Sequence, residues 1–224
     1  MEHEVSEVEQ CAPETIVASL TKLQKKALAG YKPSHGVSPE RFNEAIHPDQ
    51  VAISLSGEPT LYGELPRLVD LLNRNGCTTF LVSNGTNPDM LERCSPYQTY
   101  VSLTAPDRST YLMIARPGED YWDMIQESLQ VLSSRRSAVR ITLVQGINDH
   151  DAHHYGRMIR DSGATFVEVK GYMYLGYSRN RLTRDHMPAH ERVRSFAEAV
   201  ALSAGYRVRD ENVPSRVVCL ERSG

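Results

Sequence analysis

Glu58 lies in Ser56-Gly57-Glu58-Pro59, directly after the apolar run Val51-Ala52-Ile53-Ser54-Leu55. A short apolar run closed by Gly and Pro reads as a parallel strand buried on both faces. Gly57 permits a tight turn, and Pro59 fixes φ and stops the strand. Glu58 is then presented at a C-terminal strand end, where α/β folds place ligand sites. The same spelling also fits an ordinary strand end with a solvated carboxylate. Asn84, Asp107, Asn148, Asp149 and Lys170 follow comparable runs further along. A lysine on such a rim can form a Schiff base when desolvation lowers its pKa, or it can hold a phosphate or carboxylate. Carboxylates beside it could exchange protons. His153-His154 and the His186/His190 pair have spacings a metal could use. No Cys or carboxylate motif flanks them, so surface or helix-face histidines are the plainer reading.

The elements that must position these residues alternate. Strands are expected over Val51–Leu55, Thr78–Val82, Thr99–Leu103, Val139–Val144 and Thr165–Val169. Helices are expected from Pro13 to about Ala27, over Pro39–Ile46, Glu64–Asn75, Met90–Arg93, Glu119–Ser133 and His150–Ser162, and from Asp185 or Pro188 to about Ser203. Tyr206–Val208 and Arg216–Leu220 read as weak closing strands. Strand, polar loop and helix in repetition is the signature of right-handed βαβ units on a parallel sheet. The strand ends read SGEP, SNG, TAPD, QGIND and KGYMYLGYS, which outlines one rim. Too few units are present for an eight-fold barrel, so a partial, open barrel is expected. After Tyr172 the texture changes. Tyr172, Tyr174 and Tyr177 interleave with Lys170, Arg179, Arg181 and Arg184, and residues 170–194 carry six Lys/Arg against two Asp/Glu. That pattern suits nucleic-acid contact, with rings for unpaired bases and cations for phosphate, or a plain charged loop.

Composition narrows the field. At 224 residues, 40% hydrophobic, 24% charged and a formal charge of -3, the chain is no strongly basic protein held to nucleic acid by bulk charge. No apolar run reaches the ~20 residues of a membrane span. The acidic start has no signal-peptide core, so a cytoplasmic location and no membrane partner are expected. Cys11, Cys77, Cys94 and Cys219 are too scattered for a local metal or cluster motif and read as free thiols.

LSGEPTLY (55–62), VSNG (82–85), GIND (146–149), VEVKGYMYLGYSRNRL (167–182) and MPAHERV (187–193) resemble the tRNA 4-demethylwyosine synthases. These are radical S-adenosylmethionine (SAM) enzymes of the wyosine/wybutosine pathway. The likeness runs from about Ala12 to Leu220, and its most specific part is the KGYMYLGYSRNRL…MPAHERV block. It implies an α/β fold, a partial (β/α)6 radical SAM-type barrel, here without its first strand and cluster loop. Residues 1–165 would form the barrel, and 166–224 a wyosine-base-formation region packed on it. SAM and a four-iron four-sulfur cluster are the implied cofactors. Pyruvate and the anticodon region of phenylalanine tRNA, with its N1-methylguanosine, are the implied substrates. Ser56, Gly57, Glu58 and Pro59 would hold the methionine end of SAM, with Ser83, Asn84, Gly85, Ser102 and Thr142 lining the rest. Lys170, as the catalytic candidate, and Tyr172, Met173, Gly176, Tyr177, Ser178, Arg179 and Arg181 would face pyruvate and tRNA.

Two departures from the family pattern stand out. The C-x3-C-x2-C motif that supplies three thiolates to the cluster is missing, and Thr104 stands where the family usually has Asp. The sequence therefore reads as an incomplete form of the enzyme, with a missing N-terminal half or an electron donor as candidate partners. A cluster-free tRNA-binding relative and a Lys170 Schiff-base lyase are the alternatives. An unpaired barrel edge beside Val51–Leu55 predicts self-association.

Overall fold

A computed structural model describes residues 10–31, 36–54 and 57–223. Seven strands form one mixed sheet. They are β1 (Gln50–Ile53), β2 (Thr78–Ser83), β3 (Gln98–Ser102), β4 (Ser137–Leu143), β5 (Phe166–Gly171), β6 (Tyr206–Asn212) and β7 (Val217–Arg222). Their order is β1-β2-β3-β4-β5-β7-β6. β1 to β5 are parallel neighbours, each reached by a helical crossover, while the β6–β7 hairpin adds antiparallel to β5. The parallel order is the expected open barrel sheet.

The helices are α1 (Pro13–Ala27), α2 (Pro39–Ile46), α3 (Leu65–Arg74), α4 (Pro88–Arg93), α5 (Arg108–Ala115), α6 (Trp122–Gln130), α7 (Ala152–Ser162) and α8 (His190–Ala204). α3 follows its sequence pattern: Leu65, Leu68, Val69 and Leu72 are all buried. Of these, Leu65 and Val69 join Leu81, Val101, Ile141, Val169 and Leu220 from one face of the sheet, and Tyr155, Phe196 and Val200 from α7 and α8, in the main core; Ala105, Tyr111 and Ile125 form a smaller second cluster. The opposite face carries half-buried polar side chains, Ser102, Arg140, Thr142, Glu168 and Lys170 among them. The period-2 alternation thus sends apolar side chains to the helices and chemistry-bearing ones to the layer a barrel turns inward.

Several expectations need correction. β1 is the edge of the sheet, as expected beside the missing first strand, but it is not buried on both faces: its residues alternate between exposed and half-buried, and it ends at Ile53. An apolar run reads the same at an edge as in the centre. Leu55 lies outside the described residues. The helix expected over Glu119–Ser133 is α6 followed by a 3-10 turn, Val131–Ser134. α7 starts two residues late because Asp151 is left-handed, at φ 50°. α8 begins at His190. β6 and β7 are full strands, not weak ones, because they pair with each other and with β5. α5 was not expected at all. Asp107 caps it, its carboxylate accepting from Thr110 N at 2.8 Å.

Candidate functional site

Glu58 does not stand free at the strand end. Its Oε1 accepts from Thr60 N (3.2 Å), Thr60 Oγ1 (2.8 Å) and Ser83 Oγ (2.8 Å), and its Oε2 accepts from Asn84 N (2.7 Å). The carboxylate therefore pins the segment after β1 to the end of β2. Gly57, at φ 80°, and Pro59, which opens a 3-10 turn, set the chain direction that makes this possible. Oε1 is saturated, whereas Oε2 has one donor and keeps acceptor capacity. Ser56 lies outside the described residues.

The Ser83-Asn84-Gly85 turn is built equally tightly. Ser83 Oγ also accepts from Gly85 N (3.0 Å), and Asn84 Oδ1 accepts from Thr86 N (3.0 Å) and Thr86 Oγ1 (2.8 Å). Gly85 has φ 79°, and a Cβ there would lie 3.0 Å from Val101 Cγ1, so only glycine fits. Ser83 and Gly85 are buried beneath the turn, and Asn84 is exposed on top.

Glu58, Asn84 and Ser102 open onto one cavity of about 480 Å³. Thr86, Thr104, Tyr111 and Tyr121 complete its polar and aromatic lining. Its size lies within the ~300–1,000 Å³ of small-molecule sites. A carboxylate oxygen with spare capacity, several hydroxyls and two ring faces suit a ligand with a cationic end, a hydroxylated middle and a flat base. Tyr111 and Tyr121 come from α5 and the α5–α6 loop and were missed by sequence reasoning. The signal that could have found them is the Asp107-x-x-Thr110 cap, which announces a helix.

Other rim candidates are occupied structurally. Asn148 is buried, and its side chain accepts from Val144 N (2.7 Å) while donating to Thr104 O (2.8 Å) and Thr142 O (2.9 Å), which clamps the ends of β3 and β4. Asp149, its side chain only 6% exposed, accepts from Gly146 N (2.8 Å) and pairs with Arg192 of α8. Asp107 caps α5, and the Ser109 hydroxyl, ahead of the Thr110 donors, holds its pKa below the usual carboxylate value. Asp107, His150 and Asp151 are the one close group of potential metal ligands among the described residues.

Thr142 lies outside the lining of the cavity. It is the register partner of Lys170 across β4 and β5, and both belong to the open face. Two register pairs lower on the same face, Arg140 and Glu168 form an ion pair at 2.8 Å, and the Arg140 guanidinium lies 4.7 Å from the Tyr100 ring centre. The chain after β5 forms a shelf that includes a 3-10 turn, Gly176–Asn180. Tyr172 is buried, and its hydroxyl meets Ser178 Oγ at 2.8 Å. Met173 and Tyr177 are exposed, Gly176 turns the chain at φ 58°, and Arg179 lies 5.3 Å from the ring centre of Tyr174. Arg181 reaches back to α5, donating to Ile114 O at 3.1 Å.

The cysteines do not fit a four-iron cluster. Cys11 is exposed, Cys77 and Cys219 are half-buried, and Cys94 is buried in the core; all are free. No three converge among the described residues. Burial pushes the Cys94 thiol up to about 11, opposite to what a thiolate ligand needs.

A parallel open sheet with a ligand cavity at its C-terminal rim defines a partial barrel of the radical SAM type. The fold is shared, at 16% identity and a TM-score of 0.55, with a radical SAM methyltransferase from Sphaerobacter thermophilus, over 88% of this chain and 56% of that one. Residues 161–222 match the family model for wyosine base formation. The chain is 45% identical over 219 residues to S-adenosyl-L-methionine-dependent tRNA 4-demethylwyosine synthase of Pyrococcus abyssi, covering 94% of this chain and 64% of that protein. It superposes with a TM-score of 0.91, at 33% identity, on a solved structure of TYW1 with a lysine-pyruvate adduct bound, over 98% of this chain and 72% of the other. The chain belongs to the tRNA 4-demethylwyosine synthase family. It spans 64% of the length of the Pyrococcus abyssi relative. Among the described residues, no helix is long and apolar enough to cross a membrane.

Proposed function

We propose that this chain is the SAM-holding and substrate-facing part of a tRNA 4-demethylwyosine synthase, acting on the anticodon stem-loop of phenylalanine tRNA with pyruvate as co-substrate. The observation that carries the reading is the single cavity that joins Glu58, Asn84 and Ser102 on the same rim as Lys170 and the Tyr/Arg shelf. SAM, when bound, supplies the radical precursor in this class of chemistry. The free acceptor capacity of Glu58 Oε2 meets its ammonium, the hydroxyls of Thr86, Ser102 and Thr104 meet carboxylate and ribose, and Tyr111 and Tyr121 flank the base. Gly57, Pro59, Ser83 and Gly85 hold that arrangement without touching the ligand. Thr142 and Lys170 face the keto acid, Lys170 as the amine that captures its carbonyl. Residues 166–224, with Met173, Tyr177 and Arg179 exposed, meet the RNA. The thiolates of this chain do not fit the cluster, so no radical step is assigned to its own residues.

Calorimetric titration tests the core of this reading: SAM binds the wild-type chain, and Glu58→Ala abolishes the binding. Borohydride in the presence of labelled pyruvate traps label on the wild type and not on Lys170→Ala. Label on another lysine removes the role given to Lys170. The scattered cysteines favour one second reading, an RNA-binding relative without catalysis. RNA binding with steep salt dependence and no SAM binding would establish it.

A further inference from the structure

A second cavity, of about 230 Å³, opens on the other side of α5. Its walls are the aliphatic side chains of Met113, Ile114, Val144, Ile147 and Leu182. Its remaining lining is Arg116, Arg181 and His186, with no carboxylate. The volume is below the ~300–1,000 Å³ of sites for whole cofactors, so it suits one ring system. Backbone contacts keep the slot open. Arg181 donates to Ile114 O (3.1 Å), Gln145 N donates to His186 O (3.0 Å), and the Thr183 N–H donates to His186 Nδ1 (3.0 Å). That last bond leaves Nε2–H as the donor of the neutral imidazole. Arg116 sits in the left-handed region, φ 46°, as the cap of α5, and its side chain has no hydrogen bond or ion pair among the described residues. An apolar slot for a flat ring, with only cationic and N–H donors beside it, matches a nucleobase attached to a phosphate.

We propose that this slot takes one unpaired base of the RNA substrate, with its backbone phosphate held by Arg116, Arg181 and His186. The inference rests on the RNA-binding reading above and deepens it by assigning a base-sized subsite distinct from the cofactor cavity. The two cavities share α5: Tyr111 and Ala115 line one, and Met113, Ile114 and Arg116 the other.

The test is fluorescence anisotropy with a labelled hairpin of the phenylalanine tRNA anticodon stem-loop sequence, and with hairpins carrying one abasic position each. Ile147→Trp, which fills the slot, weakens binding about tenfold, the worth of one stacked base. One abasic position weakens the wild type by the same factor and Ile147→Trp no further, as shared loss of one contact requires. Met113→Trp, at a position 55% exposed on α5, repeats the effect without threatening the fold. Arg116→Gln lowers the slope of log affinity against log salt by about 0.7–0.9, one phosphate. Unchanged affinity in both Trp variants overturns the slot and leaves the RNA-binding reading intact. Losses that add to those of every abasic position do the same. No binding of the hairpin by the wild type overturns both.

Discussion

Glu58→Gln separates bracing from ligand binding at the rim. In the wild type, Oε1 takes three donors and Oε2 one, at 2.7–3.2 Å. Gln keeps the shape and loses both the charge and one acceptor. With the amide oxygen placed toward Thr60 and Ser83, its NH2 group faces the Asn84 N–H, donor against donor. Asn84 is exposed, so water can rehydrate that N–H, and the loss there stays near ~1 kcal/mol. The three bonds to Oε1 become neutral ones of roughly half the strength, a further ~1–2 kcal/mol because they share one atom and do not add. The expected loss is about 2–3 kcal/mol. For a chain of this size that lowers the melting temperature by about 4–12 °C. Urea unfolding and thermal scans without ligand measure it, and a SAM titration on the same samples reads the binding effect. Ser83→Ala removes one donor to Oε1 and the acceptor of the buried Gly85 N–H, without touching the charge, and loses about 1–3 kcal/mol. Glu58→Gln with wild-type stability would refute the bracing role, whatever it does to SAM.

Three other outcomes are expected. Gly85→Ala costs about 2–5 kcal/mol, because its Cβ meets Val101 Cγ1 at 3.0 Å from a backbone at φ 79°, and chemical denaturation checks it. Arg192→Ala leaves the nearly buried Asp149 carboxylate with the Gly146 N–H as its one hydrogen-bond donor among the described residues and costs about 1.5–3 kcal/mol by the same measurement. The buried Cys94 thiol, pushed from 9.0 to about 11, keeps its proton in the fold while the unfolded chain gives it up earlier. Its contribution to stability is complete below pH 9 and falls by about 2–3 kcal/mol as pH rises to 11. Unfolding free energies across that window show the decline, and Cys94→Ala flattens it. At pH 8 a thiol reagent labels the exposed Cys11 at once and Cys94 only on unfolding.

The parallel sheet was legible because its signals are local. The stripe Leu65, Leu68, Val69, Leu72 and the end of β2, within one residue of Val82, follow from period and turn chemistry alone, while β5 runs two residues past Val169. What failed was whatever depends on a neighbour. The apolar run at Val51–Ile53 reads as buried on both faces, and only the family's missing first strand marked it as the edge, where its residues are exposed or half-buried. β6, Tyr-Arg-Val-Arg-Asp-Glu-Asn, looks too polar for a strand, and charge is what an outer edge strand carries. Asn148 and Asp149 are as polar as a ligand pair and serve instead to hold loops. Their hydrogen-bond partners, donors and carbonyl acceptors alike, lie three, four, six or more than forty positions away, which no local pattern displays.

α5 shows why a list of strand ends under-reads a rim of this kind. Arg108-Ser109-Thr110-Tyr111-Leu112-Met113-Ile114-Ala115 has no apolar stripe, because Leu112 and Met113 are exposed while Tyr111 is buried. A helix that packs one side on the core shows a stripe. This one stands between two cavities, and its side chains are divided between them rather than gathered toward the hydrophobic interior. The absence of periodicity is itself the consequence of its position. Strand ends supply Glu58, Asn84 and Ser102, but the wall that turns those residues into an enclosed site comes from a crossover segment whose pattern is weakest where it lines the cavities.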